Sequence, residues 1–115
     1  MRYEWDARKN RENQRKHGIS FEIAALVFED ENRLIRLDRV DEYGEQRWHV
    51  IGAVSPGPGK TMVLLVAHVY RHPSGEDLPT GTPREDRDGE EIIRIISARA
   101  AGNDEIRRYQ EQEVD

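Results

Sequence analysis

The sequence predicts an α+β domain with two N-terminal helices, a four-stranded, largely antiparallel sheet and a C-terminal helix. Three observations carry this. Apolar residues recur first at helical spacing and then at the alternating spacing of strands. Most links between the strands are of hairpin length, which favours antiparallel pairing. The chain has 115 residues and no cysteine, so one hydrophobic core without staples is expected across residues 1–115.

The elements follow in order. Asp6 is placed to cap a helix from Ala7 to His17, and Gly18 to end it in the left-handed conformation. Ala7 is the sole apolar residue of that helix, so core burial cannot hold it and another cause must. Ser20 caps a second helix, Phe21 to about Glu29, whose Phe21, Ala24, Ala25 and Phe28 make one core-facing stripe. After Asp30-Glu31-Asn32 the period changes. Arg33–Arg39 is a strand with Ile35 and Leu37 on one face and Arg36 and Asp38 on the other.

A turn at Asp41–Glu45 leads to a second strand, Gln46–Val54, and Ser55–Lys60 is a hairpin connection. The third strand, Thr61–Arg71, is apolar on both faces along Met62–Val66 and so belongs in the middle of the sheet. Residues 72–90, dense in proline, glycine and charge, form an extended exposed loop or hairpin insertion. Ile92, Ile93, Ile95 and Ile96 mark the fourth strand. A last helix runs from about Asn103 to Gln112, with Gly102 near its N-cap.

Lysines and arginines number 18 against 23 acidic residues, a formal net charge of −5. The charge is unevenly spread: residues 1–20 and 46–72 each carry +3, and residues 21–45 and 73–91 each carry −5. The total argues against a nucleic-acid partner, whereas the patterning permits a basic face. The lack of cysteine excludes disulfides, zinc–thiolate sites and thiol catalysis. The longest apolar run, Met62–Ala67, is far short of the roughly 20 residues that span a bilayer, and the N-terminal residues have no apolar signal segment. A soluble, cytoplasmic protein without membrane contact is expected.

Two motifs resolve into plain structure. Gly57-Pro58-Gly59-Lys60-Thr61 ends like a phosphate loop, but Val54 stands where the first glycine belongs and a strand follows, so a hairpin turn is expected. His68 and His72 fall on a strand and its end, where four residues span roughly 13 Å, too far to share an ion. Neither a metal nor a cofactor is expected. Two further groups bear on chemistry. Lys9, Asn13, Lys16 and His17 share one face of the first helix and together suit a phosphodiester, or else Asn13 and His17 turn inward and bond backbone around Gly18. Arg94, Ser97 and Arg99 on the last strand precede Glu105, Arg107 and Tyr109 on the last helix. Alternation puts Ser97 and Arg99 on one face and Arg94 on the other, and an Arg99–Glu105 or Arg94–Glu ion pair that simply docks the helix is the structural alternative.

These residues resemble a known family. Trp5-Asp6, Lys9, Asn13, Lys16-His17-Gly18, Ser20-Phe21-Glu22, Gly44-Glu45-x-Arg47 and Ile93-Arg94-Ile95-Ile96-Ser97-Ala98-Arg99, followed by Glu105 and Tyr109, are similar to the BrnT toxins of type II toxin–antitoxin systems. The likeness runs from Tyr3 to Tyr109. It implies a RelE-like fold and a metal-independent endoribonuclease. It also implies neutralisation by a ribbon-helix-helix antitoxin, BrnA, in a heterotetramer that binds operator DNA only through the antitoxin. Residues 72–90 depart from the family, which joins these strands by a shorter turn.

RNA cleavage of this class proceeds by attack of the ribose 2′-OH on the adjacent phosphate, with proton transfer and cationic stabilisation. The implied catalytic residues are Arg99, His17, Arg71, Glu105 and Tyr109. His17 would move the proton, and Arg71 and Arg99 would meet on one edge of the sheet to grip the phosphoryl oxygens. Lys9, Lys16, Arg47 and Arg94 would bind RNA phosphates, and Tyr109 would stack on a base or donate its hydroxyl. A catalytically inactive module that only binds the antitoxin in promoter autoregulation is the competing expectation.

Overall fold

A computed structural model describes residues 2–72 and 91–112. Strand β1 (Arg2–Glu4) leads through Asp6 into helix α1 (Ala7–His17), then α2 (Phe21–Ala24), which tightens into a 3-10 turn at Ala25–Glu29. Strands β2 (Leu34–Val40), β3 (Gln46–Gly57), β4 (Lys60–Arg71) and β5 (Ile92–Ala100) follow, and helix α3 (Asn103–Glu111) ends the described chain. The α+β class is as expected, but the sheet has five strands in the order β1-β5-β4-β3-β2 and is mixed. β1 is the unforeseen strand, pairing parallel to β5 with Arg2, Tyr3 and Glu4 against Ile92, Ile93 and Arg94. Three residues are too few to show a period, and the ladder that holds them lies about ninety positions away in sequence. The insertion expected at 72–90 lies, apart from His72, outside the described residues.

One face of the sheet is covered by α2 and the 3-10 turn. Phe21, Ala24, Val27 and Phe28 pack there on Val50, Val54, Leu64, Val66, Ile93, Ile95 and Ala98. Phe21, Leu64, Ile93 and Ile95 are almost wholly buried, each burial contributing about 1.5–3 kcal/mol relative to exposure. His68 belongs to this layer, edge-on to Phe28 and Tyr70. Gly52 belongs to it too, because a side chain there would press on Val27 at about 3.1 Å.

Helix α1 has a different cause. Its caps are those expected: the Asp6 carboxylate accepts from the Arg8 and Lys9 amides, and Gly18 turns left-handed at φ 70°. Its buried residues are Asn10 and Asn13. Asn10 accepts from the Phe21 amide and donates to Glu22, which ties α1 to α2. Asn13 donates to the carbonyls of Ile19 and Ala98 and accepts from the Ala98 amide, closing the outer edge of β5 where β1 has ended. Polar ladder closure replaces the missing apolar stripe.

Candidate active site

The other face of the sheet carries the charged residues. Across β2, β3, β4 and β5 runs the row Arg36, His49, Ala67, Ser97, and beside it the row Leu34, Ile51, Leu65, Arg99. Arg47 precedes His49 by two residues and so shares its face. Val69 opposes Arg94, which in turn opposes Glu4. All the arginines of β5 therefore lie on this face, which corrects the expectation that Arg94 and Arg99 point oppositely. The reason is a bulge. The register jumps between Ala67 and His68, where Ile96 is the extra residue on β5, and one extra residue reverses the alternation.

The sequence candidates form two ends rather than one cluster. At one end, Glu4 receives Arg71 (Nη2 to Oε2, 2.7 Å) and Arg94 (3.4 Å). Hydrogen bonding from Arg71 is the main cause that lowers the Glu4 pKa, against partial burial. At the other end, Arg99 makes a two-pronged contact with Glu105, at 2.8 and 2.9 Å. That bond lowers the Glu105 pKa and raises that of Arg99. Glu105 also accepts from the Gly102 amide at 2.8 Å, so one carboxylate caps α3 and anchors it to β5.

Arg71 and Arg99 do not meet. β4 and β5 run antiparallel, so Arg71 pairs with Ile92 at the start of β5, while Arg99 pairs with Leu65, six residues away along β4 and hence about 20 Å distant. Tyr109 is turned toward the 3-10 turn, its hydroxyl donating to Asp30. Burial works to raise the Asp30 pKa, but bonds from the Ala53 amide, Tyr109 and the Asn32 amide outweigh it and hold the pKa low. His17 is exposed in the last turn of α1.

Lys9 and Lys16 are better placed. Going round α1, Asn10 faces α2 and Asn13 faces the β5 edge; Lys9 and Lys16 lie one step further in the same sense, on the flank next to the charged sheet face. Neither lysine has a carboxylate partner among the described residues.

Beside the Arg99–Glu105 end lies a groove of about 360 Å³, floored by Leu34, Ile51 and Leu65 and rimmed by Arg36, Asp38, His49, Glu105 and Arg108. The His49 Nε2 stands 3.6 Å from the Asp38 carboxylate, and the ring is about one-third exposed. The Arg47 Nε is buried without a hydrogen-bond partner among the described residues. His49, Arg36 and Arg108 escaped sequence reasoning. Alternation on β2 and β3 does put Arg36, Arg47 and His49 on one face, but only the pairing of the strands makes them neighbours.

A basic, imidazole-bearing sheet face with an α1 lysine flank is the setting in which the family match becomes informative. Residues 5–105 match the family described as the ribonuclease toxin BrnT of type II toxin–antitoxin systems. The chain belongs to the BrnT family. The matched span takes in α1, α2, the whole of β2 to β5 and the start of α3, while Glu4 and Arg108 lie just outside it. BrnT membership implies an antitoxin partner. No curated protein matches the chain. No helix among the described residues is long and apolar enough to cross a membrane.

Proposed function

We propose that this BrnT chain is a metal-independent endoribonuclease whose site is the charged sheet face centred on His49. The observation that carries the reading is the convergence of Arg36, Arg47 and His49 with the β5 arginines on the face opposite the α2 layer. The small side chains of Ala67 and Ser97, beside His49, leave room for a phosphate on the strand surface. His49, oriented by Asp38, carries the proton between the 2′-OH and the departing 5′-oxygen. Arg36 and Arg47 face the charge that grows on the phosphoryl oxygens. Arg99, Arg94 and Arg71 bind flanking phosphates in exchange for their carboxylate partners, and Lys9 and Lys16 add positive potential along the β5 side. His17 is the alternative proton carrier, and Tyr109 positions α3 through Asp30.

The protein acts in the cytoplasm and is neutralised by a BrnA-like ribbon-helix-helix antitoxin, in a heterotetramer that reaches operator DNA through the antitoxin alone. The test is purified protein with end-labelled RNA in EDTA. Cleavage that leaves a 2′,3′-cyclic phosphate, and that stops when the ribose is 2′-deoxy, is expected.

A second reading has one observation in its favour. Glu4 and Glu105 already occupy Arg71, Arg94 and Arg99, as they would in an antitoxin-binding module without catalysis. Intact RNA together with tight antitoxin binding would select that reading.

A further inference from the structure

The outer face of α1 carries a second set of cations that the charged sheet face does not use. Arg8, Arg11 and Arg15 recur at i, i+3 and i+7, on the side opposite the buried Asn10 and Asn13, and span about 10 Å of helix. Glu12 is the acidic residue among them, and it reaches Arg8 at 3.3 Å with that arginine's side chain four-fifths exposed. The side chains of Arg11 and Arg15 have no hydrogen bond or ion pair among the described residues. This is unexpected in a chain where acidic residues outnumber basic ones, 23 to 18. Arg71, Arg94 and Arg99 each hold a carboxylate.

We infer that the Arg8–Arg11–Arg15 strip is an RNA exosite: it holds the phosphate backbone of nucleotides outside the scissile linkage. Charge complementarity selects a polyanion, and three guanidinium forks in a line suit successive phosphates. Continuity selects RNA rather than an acidic peptide. Lys9 and Lys16 lie between the strip and the charged sheet face, so one strand crossing that face continues over α1 without leaving positive potential. The inference rests on the ribonuclease reading for its biological sense, but it is measured by binding.

The experiment uses the full chain and the triple variant Arg8→Gln/Arg11→Gln/Arg15→Gln. Exposed helical sites tolerate glutamine, and a circular dichroism melt checks that the fold is kept. The probe for binding is a 20-nucleotide, fully 2′-O-methylated RNA, which lacks the attacking hydroxyl. The probe for chemistry is a dinucleotide, too short to touch both surfaces.

The variant is expected to bind the 20-mer at least 10-fold more weakly and to lose about 2 from the slope of log K against log salt, about 0.7 for each of three contacts. Dinucleotide cleavage and antitoxin binding are expected to be unchanged. Equal affinity and slope in the two proteins would overturn the inference. So would loss of antitoxin binding with RNA affinity intact, which would assign the strip to an acidic partner. If the wild type binds but does not cut, the ribonuclease reading fails while a weakened variant still upholds the exosite.

Discussion

The side-chain amide of Asn13 in α1 closes on both backbone polar groups of Ala98 in β5, donating to the carbonyl at 2.8 Å and accepting from the amide at 3.1 Å. A second donated bond reaches Ile19. One buried side chain thus stands in for a missing strand, because β1 pairs β5 only as far as Arg94. Asn13→Ala should destabilise the fold by about 2–4 kcal/mol, since it leaves buried backbone groups unpaired. Asn13→Asp should be no better: its carboxylate keeps the acceptor but points lone pairs at two carbonyls. Denaturant melts of the two variants check this, and near-native stability for either would show that water replaces the amide.

The Arg99–Glu105 contact separates stability from function. The arginine is nearly half exposed, so Arg99→Ala should cost no more than about 1 kcal/mol. Growth arrest on expression should nevertheless weaken sharply. Arrest that persists with a soluble Arg99→Ala protein would remove this residue from the site. Glu105→Gln releases the guanidinium and should tighten RNA binding, at the cost of a looser start to α3.

His49 makes the sharpest claim on catalysis. His49→Gln keeps a polar side chain of similar reach on an established strand, so the melting temperature should hardly move. Cleavage should fall about 100-fold or more, the usual worth of a positioned proton carrier. A parallel His17→Gln variant should cut at the wild-type rate. The opposite pattern would transfer the proton to α1.

Acid sensitivity should come first from His68. Burial pushes its pKa down to about 4, and although Nδ1 lies 3.2 Å from the Val66 carbonyl, Nε2 has no partner among the described residues. The unfolded chain takes up this proton near pH 6.5 and the folded chain only near 4, so stability falls as pH drops through that window. The loss should reach roughly 3 kcal/mol. Glu4, Asp30 and Glu105, whose pKa values are lowered, begin to give up their contributions as pH falls toward their ordinary values, 4.5 for the glutamates and 3.8 for Asp30. In His68→Phe the slope of stability between pH 6.5 and about 5 should vanish, whatever the new baseline. A slope that survives would place the sensitive group elsewhere.

Much of the fold was legible because its signals are local. The caps at Asp6 and Ser20, the left-handed Gly18, the Phe21–Phe28 stripe and the two-faced apolar run of β4 all act within a few residues. Asn13 was foreseen as an inward residue in one of two readings, and Arg99–Glu105 as an ion pair. What escaped is non-local. β1 exists only through β5. The bulge at Ile96, which brings Arg94 onto the face of Arg99, leaves no mark in a run of isoleucines. Antiparallel pairing separates Arg71 from Arg99, although each stands near the end of its strand. His49 was not legible as a site residue, since its partner Asp38 lies across a strand pair.

The outer edge of β5 has a consequence for synthesis. Both β1 and α1 attach to that edge, β1 by its ladder and α1 through Asn13, yet β5 is synthesised about ninety residues after β1. Strand β1 has no sheet partner until some ninety more residues have been joined to it, and long-range closure of this kind is slow. A chain assembled in this order cannot close its sheet until β5 has emerged from the exit tunnel.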